Sequence, residues 1–135
     1  RPAAPIAGAG RAVLLVEDEP DLLETAQALL SELGFAVISA RDGREALAAL
    51  DRGHVVDALV TDLMMPGGLS GVDLAHEARR RRPGLPVLIA SGYAEGQTEA
   101  VAELEAPVIR KPYDIETFGA AIRGALASAP AAAAG

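Results

Sequence analysis

"AVLLVEDEP" occupies residues 12–20, an unbroken apolar run that stops on three acids and a proline. Five apolar residues with no polar alternation suit a strand buried on both faces, the pattern of a parallel sheet sandwiched between helices. Pro20 suits the first turn of a helix, where its missing N–H is no loss. Leu22, Leu23, Ala26, Leu30 and Leu33 then recur at helical spacing, and Gly34 is placed to close that helix.

The same strand-then-helix unit recurs along the chain. "FAVIS" (35–39) reads as a second strand, and "DGREALAAL" (42–50) as a helix with Asp42 and Glu45 spaced as an N-cap and its return partner. "DALVT" (57–61) is a third strand that ends on Asp62. Ser70 and Asp73 open a helix running to about Arg82, which stops before Pro83. "PVLIA" (86–90) is a fourth strand, followed by Ser91 and Gly92; a weak helix is expected over 95–103, and "PVIR" (107–110) is a fifth strand. Asp114 caps a last helix whose Ile115, Phe118, Ile122, Ala125 and Leu126 share one face. Five strands alternating with five helices predict an α/β fold, a doubly wound five-stranded parallel sheet covered on both sides. With the common strand order 2-1-3-4-5, the site lies at the carboxyl ends of strands one and three, where the order reverses.

At 135 residues the chain is one domain with enough apolar residues (50%) for a core, and at 3% aromatic that core is aliphatic. A net charge of −7 argues against a nucleic-acid surface, which needs a basic footprint. Zero cysteines exclude disulfides and thiolate metal sites and fit a reducing compartment. No apolar run is long enough for a membrane span, so no membrane contact is expected of this domain. "RPAAPIAGAGR" (1–11) reads as a linker and the end of the chain, 128–135, as a flexible tail, leaving 12–127 as the domain. The opening on Arg1 rather than methionine predicts a segment of something larger. Eleven arginines stand beside a single lysine, Lys111, which raises the question of whether a compact ammonium is wanted there.

The strand ends carry the chemistry. Glu17 and Asp18 after strand one and Asp62 after strand three would repel one another unless a cation sat among them. With only oxygen donors at hand, Mg2+ is the natural guest. Ser91 adds a hydroxyl after strand four and Lys111 an ammonium after strand five. A carboxylate nucleophile, a metal, a hydroxyl and a cation are what in-line phosphoryl transfer onto an aspartate needs.

"LLVEDEP", "TDLMMPGG", "ASG" and "RKPY" resemble the receiver domain of two-component response regulators, over about residues 12–127. The resemblance implies the receiver type of flavodoxin-like fold, with Asp62 accepting a phosphoryl group from a histidine kinase or a histidine phosphotransfer protein. It implies Mg2+ held by Asp18, Asp62 and the main-chain carbonyl of Met64, with Glu17 assisting through water. Ser91 and Lys111 would each take a phosphoryl oxygen, and Pro112 matches the family's cis-proline position. A cytoplasmic signalling switch is implied, not a metabolic enzyme; this chain would only gain and lose its own phosphoryl group. Two departures stand out. Four residues, Gly67, Gly68, Leu69 and Ser70, separate Pro66 from the next glycine where the family usually has three. Val108 occupies the position of a switching Tyr or Phe, so only a modest phosphorylation-dependent change is expected on the face of the last two helices. The "MPGG-SGVDLA" and "SGYAE" stretches and the missing aromatic are most similar to the C-terminal receiver of a hybrid sensor histidine kinase, whose parent would be the kinase itself; the alternative is a stand-alone single-domain response regulator.

Other functions were weighed against this one. A flavodoxin-type FMN carrier shares the fold, but "EDEP" would repel a phosphate and few aromatics remain to sandwich a flavin. An aspartyl phosphatase would want its nucleophile after strand one. An unphosphorylated scaffold is a third reading. "HEARR" (76–80) begins like a zinc-protease helix but lacks the second histidine, so His76 is expected to be a solvated helix residue. The arginines at 79–82 are expected on a solvated face at a helix end, where cations favour the dipole.

Overall fold

The computed structural model describes residues 10–65, 68–92, 98–111 and 114–127; at 98–100 only the backbone is described. Strand and helix alternate without exception: β1 (Ala12–Val16), α1 (Pro20–Glu32), β2 (Ala36–Ala40), α2 (Gly43–Asp51), β3 (Ala58–Asp62), α3 (Gly71–Arg81), β4 (Val87–Ser91), α4 (Thr98–Leu104), β5 (Val108–Arg110) and α5 (Ile115–Ala127). The five strands form one sheet in the order β2-β1-β3-β4-β5, every pair parallel. The expected fold class and strand order are those observed.

Period-2 alternation on the three central strands sorts their side chains into two cores. Leu14, Val16, Leu59, Val87 and Ile89 face one way and pack with Ala46, Leu50, Leu74, Ala78 and Leu104 of α2, α3 and α4. Val13, Leu15, Val60, Leu88 and Ala90 face the other way and meet Ala26, Leu30, Phe118 and Ile122 of α1 and α5. Most of these side chains are fully buried; each Leu or Ile so placed contributes roughly 1.5–3 kcal/mol over its exposed state. β4 is buried along its whole length, whereas the edge strands β2 and β5 are half exposed. A sheet held this firmly at its centre makes a rigid platform for whatever its strand ends carry.

The caps follow the predicted chemistry with one variation. Asp42 accepts the Glu45 N–H at 2.8 Å, but the Glu45 carboxylate reaches back to the N–H of Arg41, one residue earlier than a capping box requires. Ser70 accepts from Asp73 N–H at 3.1 Å, and Asp114 from Thr117 N–H at 2.8 Å, a bond that holds the Asp114 carboxyl below its ordinary value. Gly34 closes α1 at φ 95°, the left-handed conformation that glycine adopts without strain.

Of the helix expected over 95–103, α4 is described from Thr98 to Leu104, and residues 95–97 lie outside the described residues. Two expectations are corrected. Leu22, assigned by spacing to the buried face of α1, is 38% exposed, while its neighbour Leu23 packs against the core. The arginines at 79–82 are not simply solvated. Arg79 donates to the carbonyls of Leu85 (3.3 Å) and Leu104 (2.5 Å), and Arg82 to those of Leu50 and His54, both at 2.9 Å. Arg81 pairs with Asp51 at 2.8 Å and Glu77 at 3.1 Å, leaving Arg80, 76% exposed, as the solvated one. Helix ends leave orphan carbonyls, and a guanidinium with five donors can satisfy two of them at once. His76 is exposed, as expected.

Candidate functional site

The β1–β3 register sets Val16 opposite Thr61, so the next residues on each chain, Glu17 and Asp62, emerge side by side. Asp18 follows Glu17 in the turn to α1. Glu17, Asp18 and Asp62 each offer a carboxylate oxygen within 4.8 Å of the others. On the other flank β4 ends on Ser91, and the backbone N–H of Lys111 donates to the Ser91 carbonyl at 2.8 Å. That bond fixes the root of the lysine. Its Nζ reaches back across the strand ends to Glu17 Oε1 at 2.9 Å and Asp62 Oδ1 at 3.3 Å.

Glu17 is 3% exposed, and burial pushes its carboxyl above the ordinary value; the Lys111 hydrogen bond opposes this and the Asp62 charge adds to it. The Glu19 N–H, 3.2 Å from Glu17 Oε2, holds the other oxygen. Burial works to lower the Lys111 pKa, but the bond to Glu17 and the Asp62 charge outweigh it and hold the ammonium above the ordinary lysine value. Lys111 is thus charged at any physiological pH. Three carboxylates against one ammonium still leave a negative excess. The donor set is all oxygen, the kind that a hard cation such as Mg2+ takes. The residues therefore fit Mg2+.

The structure brings Glu17, Asp18, Asp62 and Lys111 together and places Ser91, 6% exposed, at the adjacent strand end. The Met64 side chain is half exposed, while Met65 is buried in the α2–α3–α4 core. Val108 is half exposed on β5. Pro112 lies outside the described residues, as do 1–9 of the expected linker and the whole expected tail. Glu17 also has a direct partner, Lys111, which the sequence did not predict. A cleft of about 660 Å³ between α2 and α3, lined by Gly43, Leu47, Met65 and Leu69 among others, touches the site only at Asp18. Glu17 is buried at the strand ends, while Asp18 and Asp62 are partly exposed there.

Two contacts at the end of β3 escaped the sequence reading. Thr61, fully buried, donates its hydroxyl to the Asp62 carbonyl at 3.0 Å. Gly71, the first residue of α3, lies against that same carbonyl: a Cβ built there would stand 2.2 Å from Asp62 O. A glycine at a helix's first turn, where almost any other residue costs less, was the available signal.

The chain matches the response regulator receiver domain family over residues 13–123. It is 36% identical over 118 residues to the transcriptional regulatory protein TcrA of Mycobacterium tuberculosis, covering 84% of this chain and 45% of that protein. The chain thus spans about half the length of the curated relatives it matches. Among solved structures, a response regulator receiver protein from Sinorhizobium medicae superposes with a TM-score of 0.81 at 26% identity, covering 88% of this chain and 96% of that one. The response regulator TrrA of Thermotoga maritima, solved in complex with Mg2+ and BeF, shares the fold at a TM-score of 0.77 and 24% identity, covering 86% and 99%. No helix among the described residues is long and apolar enough to cross a membrane. With its sheet order, its strand-end carboxylates and a family match over most of its length, the chain belongs to the response regulator receiver domains.

Proposed function

We propose that Asp62 is the phosphoacceptor of this receiver domain and takes its phosphoryl group from the phosphohistidine of a histidine kinase or a histidine phosphotransfer protein. An Asp62 carboxylate oxygen attacks phosphorus as the P–N bond breaks, and the imidazole leaves with that electron pair and picks up a proton. Asp18, Asp62 and the Met64 carbonyl would hold Mg2+, with Glu17 acting through water; the ion supplies charge neutralisation for the phosphoryl oxygens. Lys111, already 3.3 Å from Asp62, shifts to pair with one phosphoryl oxygen, and Ser91 hydrogen-bonds another. The observation that carries this reading is the convergence of three carboxylates within 4.8 Å, two of them paired with the only lysine in the sequence.

The working unit is residues 12–127, with 1–11 a linker and 128–135 a tail. The hybrid-kinase placement expected from the sequence finds no support in the relatives, which are regulatory proteins and receiver-only chains. A response regulator, stand-alone or joined to an output domain, is the better-supported setting, working in the cytoplasm and without binding nucleic acid through this domain.

Intact mass after incubation with acetyl phosphate tests the chemistry. One added phosphoryl group is expected with Mg2+, none with excess chelator and none in Asp62→Asn. Addition that survives Asp62→Asn would move the acceptor elsewhere. If neither phosphoryl nor Mg2+ bound, the scaffold reading would replace this one.

A further inference from the structure

We infer that Gly71 is a positioning residue for the acceptor: its lack of a side chain lets α3 seat directly on the Asp62–Leu63 peptide and so fixes the Asp62 carboxylate. The inference rests on the phosphoacceptor reading of Asp62. Hydrogen bonds hold that peptide unit and the carbonyl of the next. Leu63 N–H donates to the Ala90 carbonyl on β4 at 2.9 Å, and the Leu63 carbonyl accepts the Gly71 N–H at 2.9 Å. The Asp62 carbonyl receives the Thr61 hydroxyl at 3.0 Å and lies flush with the Gly71 Cα.

A Cβ on Gly71 would meet Asp62 O at 2.2 Å, Asp62 C at 3.1 Å and the Leu63 Cα at 3.0 Å. All three are backbone atoms, so no side-chain rotation relieves the clash, and the peptide or the start of α3 must retreat by most of an ångström. Because the peptide is planar, such a shift turns it as a unit, altering the Asp62 backbone and swinging a side chain that now stands 3.3 Å from Lys111 Nζ. The Met64 carbonyl lies two peptides further on, beyond the Leu63 carbonyl that Gly71 holds. Helix formation does not explain the glycine, since alanine is the better helix former; close backbone approach does.

The Gly71 N–H bond to the Leu63 carbonyl closes the chain between them into a loop. Gly68 within this loop has open space around its missing Cβ and is exposed. Two glycines three positions apart thus have opposite requirements.

The test compares Gly71→Ala with Gly68→Ala and with Ile122→Val and Ile122→Ala, which loosen the opposite core far from the site. Phosphorylation of Asp62 by acetyl phosphate at saturating Mg2+, Mg2+ affinity by calorimetry and thermal stability are measured on each. Gly71→Ala is expected to slow phosphorylation roughly tenfold to a hundredfold and to weaken Mg2+ binding severalfold. Gly68→Ala, and the Ile122 variants below their melting temperatures, should keep the wild-type rate. Equal rates in Gly71→Ala and in the Ile122 variant of matching stability would overturn the inference. If Gly71→Ala does not fold, Thr61→Val releases the same carbonyl without a clash; a wild-type rate and Mg2+ affinity there would overturn it instead. A wild-type protein that accepts no phosphoryl group brings down the underlying reading, and an outcome confined to Gly71→Ala leaves that reading intact.

Discussion

The two ends of the molecule concentrate opposite charges and treat them differently. At the carboxyl ends of the strands, Glu17, Asp18 and Asp62 crowd within 4.8 Å with one ammonium among them. At the far end of α3, Arg79, Arg81 and Arg82 are each spent on carbonyls or carboxylates of the neighbouring helices. Charge that serves the fold is matched until little is left over. Charge that serves chemistry is left in excess, and a sheet this well packed can carry the resulting repulsion.

The largest way to break that contrast is to take the ammonium from the acidic end. Lys111→Met leaves Glu17 buried without its main partner, which should cost about 3 kcal/mol at neutral pH, the lower end for a broken buried pair. The cost must depend on pH. Burial already holds the Glu17 pKa above its ordinary 4.5, and losing the Lys111 bond raises it further. A carboxyl raised on folding binds its proton more tightly in the native state, so its contribution falls as pH rises from the unfolded value through the folded one. The stability difference between wild type and Lys111→Met, from urea denaturation in chelator, should therefore be small at acid pH and grow upward from about pH 4.5. A difference independent of pH would mean that Glu17 is not the group left stranded.

Adding a cation is the converse experiment. At a Mg2+ concentration one hundred times its Kd, linkage predicts about 2.7 kcal/mol of added stability. Asp18→Asn should remove most of that gain, and a melting temperature indifferent to Mg2+ in wild type would contradict the fit of the site to the ion.

At the opposite end, the sharpest probe is Arg79→Met, which keeps the apolar stem and removes the guanidinium. Two carbonyls lose their donor, for about 1–3 kcal/mol. The effect should be local, because Leu104 O belongs to the last turn of α4 and Leu85 O to the turn leading into β4. Amide hydrogen exchange should accelerate at 102–105 and stay unchanged in α1. Uniform acceleration would show that Arg79 serves overall stability and does not tether α4 in particular.

These contrasts were unequally legible in the sequence. The strand ends could be read because each lies within two residues of the end of an apolar run, so Glu17, Asp62, Ser91 and Lys111 were located by the same pattern that located the strands. The doubly wound order then brought them together without knowledge of any side-chain contact. The arginine end could not be read this way. Arg79 and Arg82 find carbonyls of α4, α2 and the loops beyond them, partners 25 and 32 residues away whose positions depend on how helices pack, which periodicity does not give. Leu22 failed because adjacent helix positions point in different directions, and of the two leucines it is Leu23 that packs against the core. Gly71 was missed because glycine after a capping serine reads as ordinary loop punctuation, and only the backbone carbonyl beside it shows that the space is taken.

The smallest expected effect is the most instructive about charge at this end. Arg81 makes ion pairs to Asp51 and Glu77 at 2.8 and 3.1 Å, shorter contacts than Lys111 makes to Asp62 at 3.3 Å. On distance alone Arg81 ought to matter more. Asp51 is 60% exposed, however, and water solvates both partners as well as they solvate each other. Arg81→Ala should leave the urea midpoint close to wild type, and whatever difference remains should fade as salt is raised from low to physiological ionic strength. The Lys111→Met deficit, arising where Glu17 has only 4% of its side chain exposed, should persist in the same salt. A salt-resistant loss in Arg81→Ala would place that residue with Lys111 among the buried charges and erase the contrast between the two ends.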